Sequence, residues 1–370
     1  MKILYLTNIP SPYRVDFFNE LGKKCELTVL FERHHAGDRD NRWKSEIFTH
    51  FKTIFLQGRK VGVDASFCPG VVRYLTKDYD AIILGGYSSP TYMLAIDYMR
   101  IRKIPFLLNA DGGFINKDKK IMHYLKRHFI SRASGWLSTG EMTDRYLMHY
   151  GAAKSAIYHY PFTSMRKSDL YYPSSVEREK MKRELHIRER VMIISVGRFI
   201  PLKGFDFLIK AAGALAHDCG VYIIGGTPNQ TDIENKEAFY ATNVHFVDFM
   251  NKENLKKYYI AADIFVFPTL KDVWGLVLNE AMSYGLPCVS SIKANASFEL
   301  IEDGSSGYLI EPQNTRDMID KLELLINNQS LRISMGKKSY EKMKDFTIEK
   351  MADRHLEILG AWLKSVKGGS

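Results

Sequence analysis

The chain has 370 residues, of which 45% are hydrophobic and 25% are charged. That length suggests about two domains, and the hydrophobic share excludes a disordered or low-complexity protein. Lys and Arg outnumber Asp and Glu by 52 to 42, and residues 1–163 hold 24 of the basic side chains against 15 acidic ones. This basic first half favours an anionic partner, and nucleic acid is disfavoured because no nucleic-acid-binding motif accompanies the charge.

The sequence predicts neither a membrane span nor secretion. No apolar run approaches the roughly 18 residues that a spanning helix needs. The opening segment, MKILYLTNIP, is typical of a first β-strand rather than of a signal peptide. The cysteines are scattered without a C-x-x-C pair, at Cys25, Cys68, Cys219 and Cys288. We therefore expect a cytoplasmic protein whose thiols pack as small apolar side chains, and the histidines form no metal-ligand pattern.

Strand and helix signals alternate along the first half of the chain. Short apolar runs predict strands at 3–6, 27–31, 82–84, 106–108 and 136–137. Helical spacing of apolar residues predicts helices at 15–24, 90–103, 116–133 and 141–150. Such alternation is typical of a parallel sheet covered by helices on both faces.

The pattern weakens at 163–175, which we interpret as a linker, and then starts again. Further strands are predicted at 191–196, 221–224, 245–246, 264–267, 288–290 and 308–310. The sequence thus predicts two tandem α/β domains, at 1–163 and 164–347, each built on a parallel sheet. A last helix is predicted at 348–366.

The first chemically informative segment is the turn after the strand at 191–196. Arg198 and Lys203 bracket this turn, which begins at Gly197 and leads into a helix near Gly204. Fixed cations at such a turn suit a departing diphosphate, because they stabilise the negative charge that develops on it. A solvated βα loop that carries two cations is the alternative.

The second segment, residues 271–291, places two carboxylates on either side of seven residues. Asp272 lies in the loop after the strand at 264–267, and Glu280 lies on the helix that follows. A helical rise of about 1.5 Å per residue puts the two about 10–12 Å apart, with the bare amides of a helix start between them. This arrangement suits a nucleotide diphosphate sugar. An ordinary strand-loop-helix unit with solvated acids explains the spacing equally well.

These segments together resemble the retaining glycosyltransferases of family 4, the glycosyl transferases group 1. In that family, two acids separated by seven residues precede an AM-x-x-G-x-P run, and a G-R-x(4)-K-G turn lies upstream. Asp272 and Glu280 take the acid positions here, and Arg198 and Lys203 take the cationic ones. Asp272 is one methylene shorter than the family's usual Glu.

A third segment matches the same family at residues 293–312. Glu299 takes the position of the family's Glu after a small-residue turn, and a D-G-x-x-G-x-L run follows from Asp303 to Leu309. The family's usual glycine pair is replaced by residues 294–297, so backbone approach to a phosphate is less assured. Glu299 is also compatible with a purely structural role as an acid at a helix N-terminus.

The resemblance implies the GT-B fold, in which two Rossmann-like doubly wound domains face each other across a cleft and the last helix crosses back to the first domain. It implies that Asp272 orients the donor sugar and that Glu280 holds the ribose. It implies that Arg198 and Lys203 stabilise the leaving diphosphate, without metal or cofactor. The remaining positions implied to contact the nucleotide sugar are Gly197, Gly275, Leu276, Ser297 and Glu299.

The first domain should bind the acceptor, and there the family match is weaker. Arg14 precedes a helix and is a candidate phosphate contact, or else a solvated helix-entry residue. Asp111 follows the strand at 106–108, near a position where relatives place a histidine, and is a candidate catalytic residue or the start of a D-G turn. Asp38 and Asp40 form a D-x-D run of the kind that binds metal in another glycosyltransferase fold, but their polar surroundings predict a loop.

The segment at 117–132 predicts an amphipathic helix in the first domain. Its apolar positions are Ile121, Met122, Leu125 and Phe129, and its basic face is formed by Lys119, Lys120, His123, Lys126 and Arg127. A helix packed on the sheet with a solvated basic face is one interpretation. Docking on anionic lipid is the other, since each basic residue near such a surface adds about 1 kcal/mol.

We therefore predict a metal-independent glycosyltransferase that uses a nucleotide-sugar donor, with UDP as the expected nucleotide. The expected acceptor is a glycan or a lipid-diphosphate-linked glycan in surface polysaccharide synthesis, at the inner face of the cell membrane. Two alternatives stay open at this point: a nucleotide-sugar epimerase of the same fold, and a nucleotide-sugar-binding protein without turnover. A nicotinamide dehydrogenase is disfavoured, because no G-x-G-x-x-G frame follows the first strand.

Overall fold

The computed structural model describes residues 1–34, 47–62, 65–216, 218–226 and 243–368. The chain divides into two compact units, Met1–Ser164 with Thr347–Ser370, and Met165–Phe346. Asp38 and Asp40 lie outside the described residues, so the loop predicted for them stays a prediction.

The first unit is built on a parallel sheet. Its strands are β1 (Lys2–Thr7), β2 (Glu26–Phe31), β3 (Lys52–Phe55), β6 (Ala81–Leu84), β7 (Leu107–Ala110), β8 (Gly135–Ser138) and β9 (Ile157–His159). Among the described residues these seven pair in the order β3-β2-β1-β6-β7-β8-β9, while β4 (Arg59–Val61) and β5 (Ala65–Phe67) form a separate antiparallel hairpin. The strand order reverses between β1 and β6, as in a Rossmann-like doubly wound sheet.

Four helices follow strands of this sheet in the described part of the first 164 residues. They are α1 (Pro12–Gly22), α2 (Pro90–Ile101), α3 (Lys120–Ile130) and α4 (Glu141–His149). Helix α1 begins three residues before its predicted start because Pro12 occupies the first turn, where the missing N–H costs no hydrogen bond. The apolar strand residues pack against α2 and the end of α3, as Leu4, Leu84 and Met99 do in the core.

Helix α3 differs from its prediction in length and in packing. It begins at Lys120, because Lys119 has the extended backbone of a capping residue. Of the apolar positions expected to pack on the sheet, Phe129 is buried, but Ile121 is 77% exposed. Met122 and Leu125 are also exposed, although less than Ile121. The expectation that this apolar stripe packs on the sheet is therefore wrong for its first two turns.

The second unit has a parallel sheet of the same type. Its strands are β10 (Val191–Val196), β11 (Cys219–Ile224), β12 (Val244–Val247), β13 (Ile264–Phe267), β14 (Cys288–Ser291) and β15 (Gly307–Ile310). Within the described residues their order is β12-β11-β10-β13-β14-β15, which reverses between β10 and β13. Every residue of β10 is buried, as a central strand covered on both faces requires.

The helices of the second unit alternate with these strands. They are α5 (Ser175–Glu184), α6 (Phe205–Ala212), α7 (Lys252–Ala261), α8 (Leu276–Ser283), α9 (Asn295–Leu300), α10 (Thr315–Asn327) and α11 (Gln329–Met343). The last helix, α12 (Ile348–Gly368), belongs to the first unit and packs against α1. These sheets and helices confirm the predicted α/β fold class with its doubly wound parallel sheets.

Candidate active site

Asp272 lies in the loop between β13 and α8, and the next loop fixes its backbone. Its N–H donates to the carbonyl oxygen of Lys293 at 2.9 Å, and it forms an isolated parallel bridge with Ala294. Its side chain is 22% exposed. The carboxylate is therefore held at the carboxyl end of the strands, where open α/β sheets bind ligands.

Gly275 ends the same loop and begins α8. Its φ is 106°, in the left-handed region, and a Cβ at this position would lie 2.5 Å from Cε1 of Phe267. Only glycine meets both conditions without strain. Gly275 has no side chain and cannot accept a capping hydrogen bond from the amides of the first helical turn. These amides, which begin at Leu276, therefore face the loop without a side-chain cap from Gly275. Such amides attract an anion.

Glu280 lies one turn further along α8 and is half-buried. Its carboxylate accepts a hydrogen bond from the hydroxyl of Tyr259 at 2.9 Å. Tyr259 is a buried residue of α7 whose ring stacks on Tyr284, with the ring centroids 5.3 Å apart. Burial, together with the charge of Glu280, raises the pKa of Tyr259 well above its usual value, so its hydroxyl stays a donor. This contact fixes one oxygen of Glu280.

The loop that carries the predicted cations packs on the loop after β13. Gly204 has a φ of 67°, and a Cβ there would lie 2.1 Å from the carbonyl oxygen of Pro268. The N–H of Leu270 donates to the carbonyl oxygen of Leu202 at 2.8 Å. Close backbone approach at Gly204 therefore joins two loops that are far apart in the sequence.

This packing brings Lys203 to Asp272. The Lys203 Nζ atom lies 2.6 Å from Oδ2 of Asp272, and the two side chains are 19% and 22% exposed. The same ammonium lies 5.4 Å from the centre of the Phe267 ring. Arg198 lies on the same loop with an exposed side chain, directly after Gly197 at the end of β10. The structure thus brings the predicted sugar-binding acid and one predicted phosphate-binding cation into direct contact.

Two residues of the third motif segment lie on α9. Ser297 is fully buried, and its hydroxyl lies 2.7 Å from that of Ser290. Its contact with a nucleotide sugar stays a prediction. Glu299 is the fifth residue of α9, which begins at Asn295. Its interpretation as an acid at a helix N-terminus is therefore wrong, because it lies in the last turn of the helix.

In the first unit, Asp111 lies just after β7 and is the centre of a polar cluster. It accepts hydrogen bonds from the Asn109 side-chain amide at 2.7 Å and from the Tyr160 hydroxyl at 2.9 Å. It also forms an ion pair with Arg14, whose side chain is 4% exposed. Arg14 is therefore not a solvated helix-entry residue, so that interpretation is wrong, whereas its contact with a phosphate stays a prediction. Its charge holds the Asp111 carboxylate in place.

Sequence reasoning missed Tyr259 as the partner of Glu280, and no local pattern links two residues on different helices. It also missed the pairing of Arg14 with Asp111, which join only because β1 and β7 belong to one sheet. Across the described parts of the chain, no cluster of three His, Cys, Asp or Glu residues is arranged to hold a metal ion. The same part of the chain contains no helix that is both long and apolar enough to cross a membrane.

Residues 176–342, nearly the whole second unit, match the family model of the glycosyl transferases group 1. This segment is therefore similar to the glycosyl transferases group 1. The resemblance drawn from the sequence motifs is thereby confirmed, and its finer assignment to family 4 stays a prediction.

Curated relatives of the chain are glycosyltransferases. An uncharacterized glycosyltransferase of Haemophilus influenzae is 32% identical over 183 residues, which are 48% of this chain and 51% of the relative. The D-inositol 3-phosphate glycosyltransferase of Corynebacterium aurimucosum is 28% identical over 224 residues, 57% of this chain and 52% of that protein. The chain spans about half the length of these relatives.

Solved structures resemble the chain over nearly its whole length. Anabaena Alr3699/HepE, in complex with UDP, has a TM-score of 0.80 at 16% identity, over 98% of this chain and 100% of that one. WaaG, a glycosyltransferase involved in lipopolysaccharide biosynthesis, has a TM-score of 0.67 at 16% identity, over 96% and 99%. These likenesses confirm the predicted GT-B fold.

Proposed function

We propose that this protein is a retaining glycosyltransferase that transfers a sugar from a UDP-sugar to a glycan or lipid-linked glycan. The contact between Lys203 and Asp272 carries the proposal. It joins the two motif loops beside the start of α8 and the half-buried Glu280. A cation, a helix start and two carboxylates are the groups that a nucleotide diphosphate sugar requires. The group 1 match over the same residues supports the assignment.

The choice of UDP rests on similarity. HepE, which shares the fold over the whole chain, is solved with UDP and with UDP-glucose. A uridine nucleotide at the carboxyl ends of β10 and β13 would place its ribose hydroxyls against Glu280 and its phosphates at the first-turn amides of α8. Arg198 and Lys203 would then neutralise the diphosphate, and Gly197, Gly275 and Leu276 would contact it through their backbone.

The proposed reaction replaces one bond at the anomeric carbon of the sugar. The oxygen of an acceptor hydroxyl attacks this carbon from the face on which the bond to the β-phosphate breaks, so the configuration is retained. The proton of the hydroxyl passes to the departing phosphate oxygen. Asp272 orients the sugar, and the two cations stabilise the charge that develops on the diphosphate. Asp111, held by Arg14, is a further proposed catalytic residue.

We further propose that the protein works in the cytoplasm, at the anionic inner face of the cell membrane, on a lipid-diphosphate-linked acceptor. Helix α3 supports this, because its exposed surface combines cations with apolar side chains such as Ile121 and Tyr124. WaaG, with the same fold, is involved in lipopolysaccharide biosynthesis, and this favours a role in surface polysaccharide synthesis here.

A panel of nucleotide sugars tests the proposed activity. UDP or GDP release from each sugar is followed with and without a polysaccharide acceptor extract, and the sugar product is identified by NMR. Release that increases with acceptor and yields a retained linkage supports the proposal. Isomerised sugar without release indicates an epimerase, and nucleotide binding without either indicates a binding protein; both outcomes contradict the proposal.

A further inference from the structure

The first unit contains a cavity of about 490 Å³ at the carboxyl ends of β1, β2 and β6. Its lining includes Glu32 after β2, Gly85 and Gly86 after β6, and Ser89 at the start of α2. The strand order reverses between β1 and β6, and open α/β sheets bind their ligands at such a point. The volume lies within the range of about 300–1,000 Å³ typical of small-molecule sites.

Glu32 is the one charged group among the described residues that line this cavity. It is 3% exposed, and the Ser89 hydroxyl donates a hydrogen bond to its Oε1. Its Oε2 is buried and has no hydrogen-bond partner in the described part of the chain, because the nearby Thr91 hydroxyl donates instead to the carbonyl oxygen of Ser66. Buried carboxyl oxygens are normally paired, so this oxygen points to a ligand group that pairs with it.

Burial raises the pKa of the Glu32 carboxyl above its usual value. Since Ser89 donates to Oε1, a proton on this carboxyl would be carried by Oε2. Oε2 can thus accept a hydrogen bond when ionised and donate one when protonated. A hydroxyl group, which both donates and accepts, matches Oε2 in either state.

The other walls of the cavity favour a neutral ring over an anion. Gly85 and Gly86 present bare backbone, and a Cβ on Gly86 would lie 3.0 Å from Cε2 of Tyr92. The buried Tyr92 ring offers an apolar surface next to Glu32. No Lys or Arg is among the described residues that line the cavity, and the charge of Arg33 acts on Glu32 from outside that lining. A phosphate or carboxylate ligand would therefore meet Glu32 without a cation in the cavity wall.

We propose that this cavity binds a neutral hydroxylated sugar ring of the acceptor, with Glu32 Oε2 hydrogen-bonded to a ring hydroxyl and the ring packed against Tyr92. The assignment of this cavity to the acceptor rests on the proposed glycosyl transfer. The binding of a sugar to the cavity is independent of that proposal, because it requires neither donor nor turnover.

Saturation-transfer NMR on the full-length protein tests this with glucose, galactose, N-acetylglucosamine and myo-inositol as probes, and with glucuronic acid as the charged counterpart. Glu32→Gln removes the charge and keeps the shape of the side chain. Ser88→Trp fills the mouth of the cavity from an exposed position. Glu26→Gln is the matched control, because Glu26 is an exposed acid at the opposite end of the same strand.

We expect at least one neutral probe to bind wild-type protein and the Glu26→Gln variant equally, and to bind better than glucuronic acid. At a pH where the Glu32 carboxyl is ionised, Glu32→Gln replaces a charge-assisted hydrogen bond with a neutral one and should weaken this binding about tenfold. Ser88→Trp should abolish it. UDP binding, measured by calorimetry, should be unchanged in all variants. An unchanged urea-unfolding transition shows that the first unit, which carries the substitutions, is folded.

Failure of every neutral probe to bind the wild-type protein overturns the proposal, as does undiminished binding to both Glu32→Gln and Ser88→Trp. Sugar binding at the cavity in a protein that transfers no sugar would overturn the proposed function and leave this site standing. If the protein transfers sugar and neither variant changes the KM for the acceptor, the proposed function stands and the cavity is not the acceptor's site.

Discussion

Lys203 and Asp272 form a direct ion pair, with 2.6 Å between Nζ and Oδ2, although 69 residues separate them in the chain. The contact exists because Gly204 lets the loop after β10 approach the carbonyl oxygen of Pro268. The ammonium that we assign to the leaving diphosphate thus also orients the carboxylate that we assign to the sugar. Loss of Lys203 should therefore affect both roles, whereas loss of Arg198 should affect only the phosphates.

The first prediction concerns these two cations. Arg198→Ala and Lys203→Ala should each lower kcat by about a hundredfold, because each removes a group that stabilises charge in the transition state. Initial rates of UDP release with a saturating donor measure the effect. Lys210→Ala, which removes an exposed lysine from the helix that follows the same loop, should keep wild-type rates. Wild-type kcat in folded Arg198→Ala and Lys203→Ala proteins would contradict the assignment.

The second prediction concerns the support of Glu280. Tyr259→Phe removes the hydroxyl that fixes this carboxylate, so the KM for the donor should rise about five- to tenfold, which corresponds to the net contribution of one ordinary hydrogen bond. The kcat should change little, since a ribose contact is equally strong in the ground state and the transition state. Tyr258→Phe is the matched control: it removes the hydroxyl of the preceding residue on α7 and should leave the KM for the donor unchanged. A lower kcat with unchanged KM would place Glu280 in the chemical step.

The third prediction concerns metals. Arg198 and Lys203 supply the positive charge that a divalent ion would otherwise bring to the diphosphate, so transfer should persist in EDTA. The rate is compared before and after chelation, and again after manganese is added. Activity that vanishes with EDTA and returns with manganese would refute the cation-based mechanism.

Much of the site followed from the sequence because its motifs are local. Gly275 and Gly204 mark sharp turns between a strand and a helix, and the residues beside them must lie at the carboxyl ends of buried strands. The motif order alone therefore places Asp272, Arg198 and Lys203 on loops at one edge of a sheet. It does not predict their direct contact, because that depends on the order of β10 and β13 in the sheet.

The errors came from contacts between distant segments. Arg14 looked like a free cation at a helix start, but its partner Asp111 lies 97 residues away. The apolar residues of α3 fit a helix packed on a sheet, yet periodicity shows only that a helix has two faces and not what covers them. Strands β3 and β9 were missed because they are short edge strands with half-exposed residues, which lack a continuous apolar run.

The fourth prediction concerns acid stability. His355 is fully buried on α12, its Nδ1 lies 2.7 Å from the carbonyl oxygen of Met351, and burial lowers its pKa from 6.5 to about 4. The unfolded chain takes up this proton at a higher pH than the folded one. The contribution of His355 to stability is therefore fully present well above pH 6.5 and falls as the pH drops towards 4. The loss attributable to His355 should reach about 2 kcal/mol at about pH 5.

Urea unfolding at about pH 7 and about pH 5 measures this loss. In His355→Leu the difference in unfolding free energy between the two pH values should be smaller than in the wild type by about 2 kcal/mol, whatever the variant's absolute stability. The same substitution at the exposed His149 should leave the difference unchanged. An equal pH dependence in wild type and His355→Leu would show that His355 is not the group that titrates.

The last prediction concerns the membrane. Lys119, Lys120 and Arg127 are exposed on or beside α3, whereas Lys126 is held by Asp118 at 2.8 Å and by the ring of Tyr150. We expect the protein to bind anionic vesicles at low salt and to release them as salt rises, since charges are screened over about 8 Å at physiological ionic strength. Co-sedimentation with phosphatidylglycerol vesicles measures this.

Two sets of variants separate charge from apolar insertion. Glu at positions 119, 120 and 127 should abolish binding, and Lys126→Glu should add little, because Lys126 is already paired with Asp118. Ser at Ile121 and Tyr124, which are 77% and 68% exposed, should weaken binding without changing its salt dependence, since burial of apolar side chains in the lipid interface is not screened. If the wild-type protein ignores anionic vesicles at low salt, α3 is a solvated helix and a water-soluble glycan becomes the favoured acceptor.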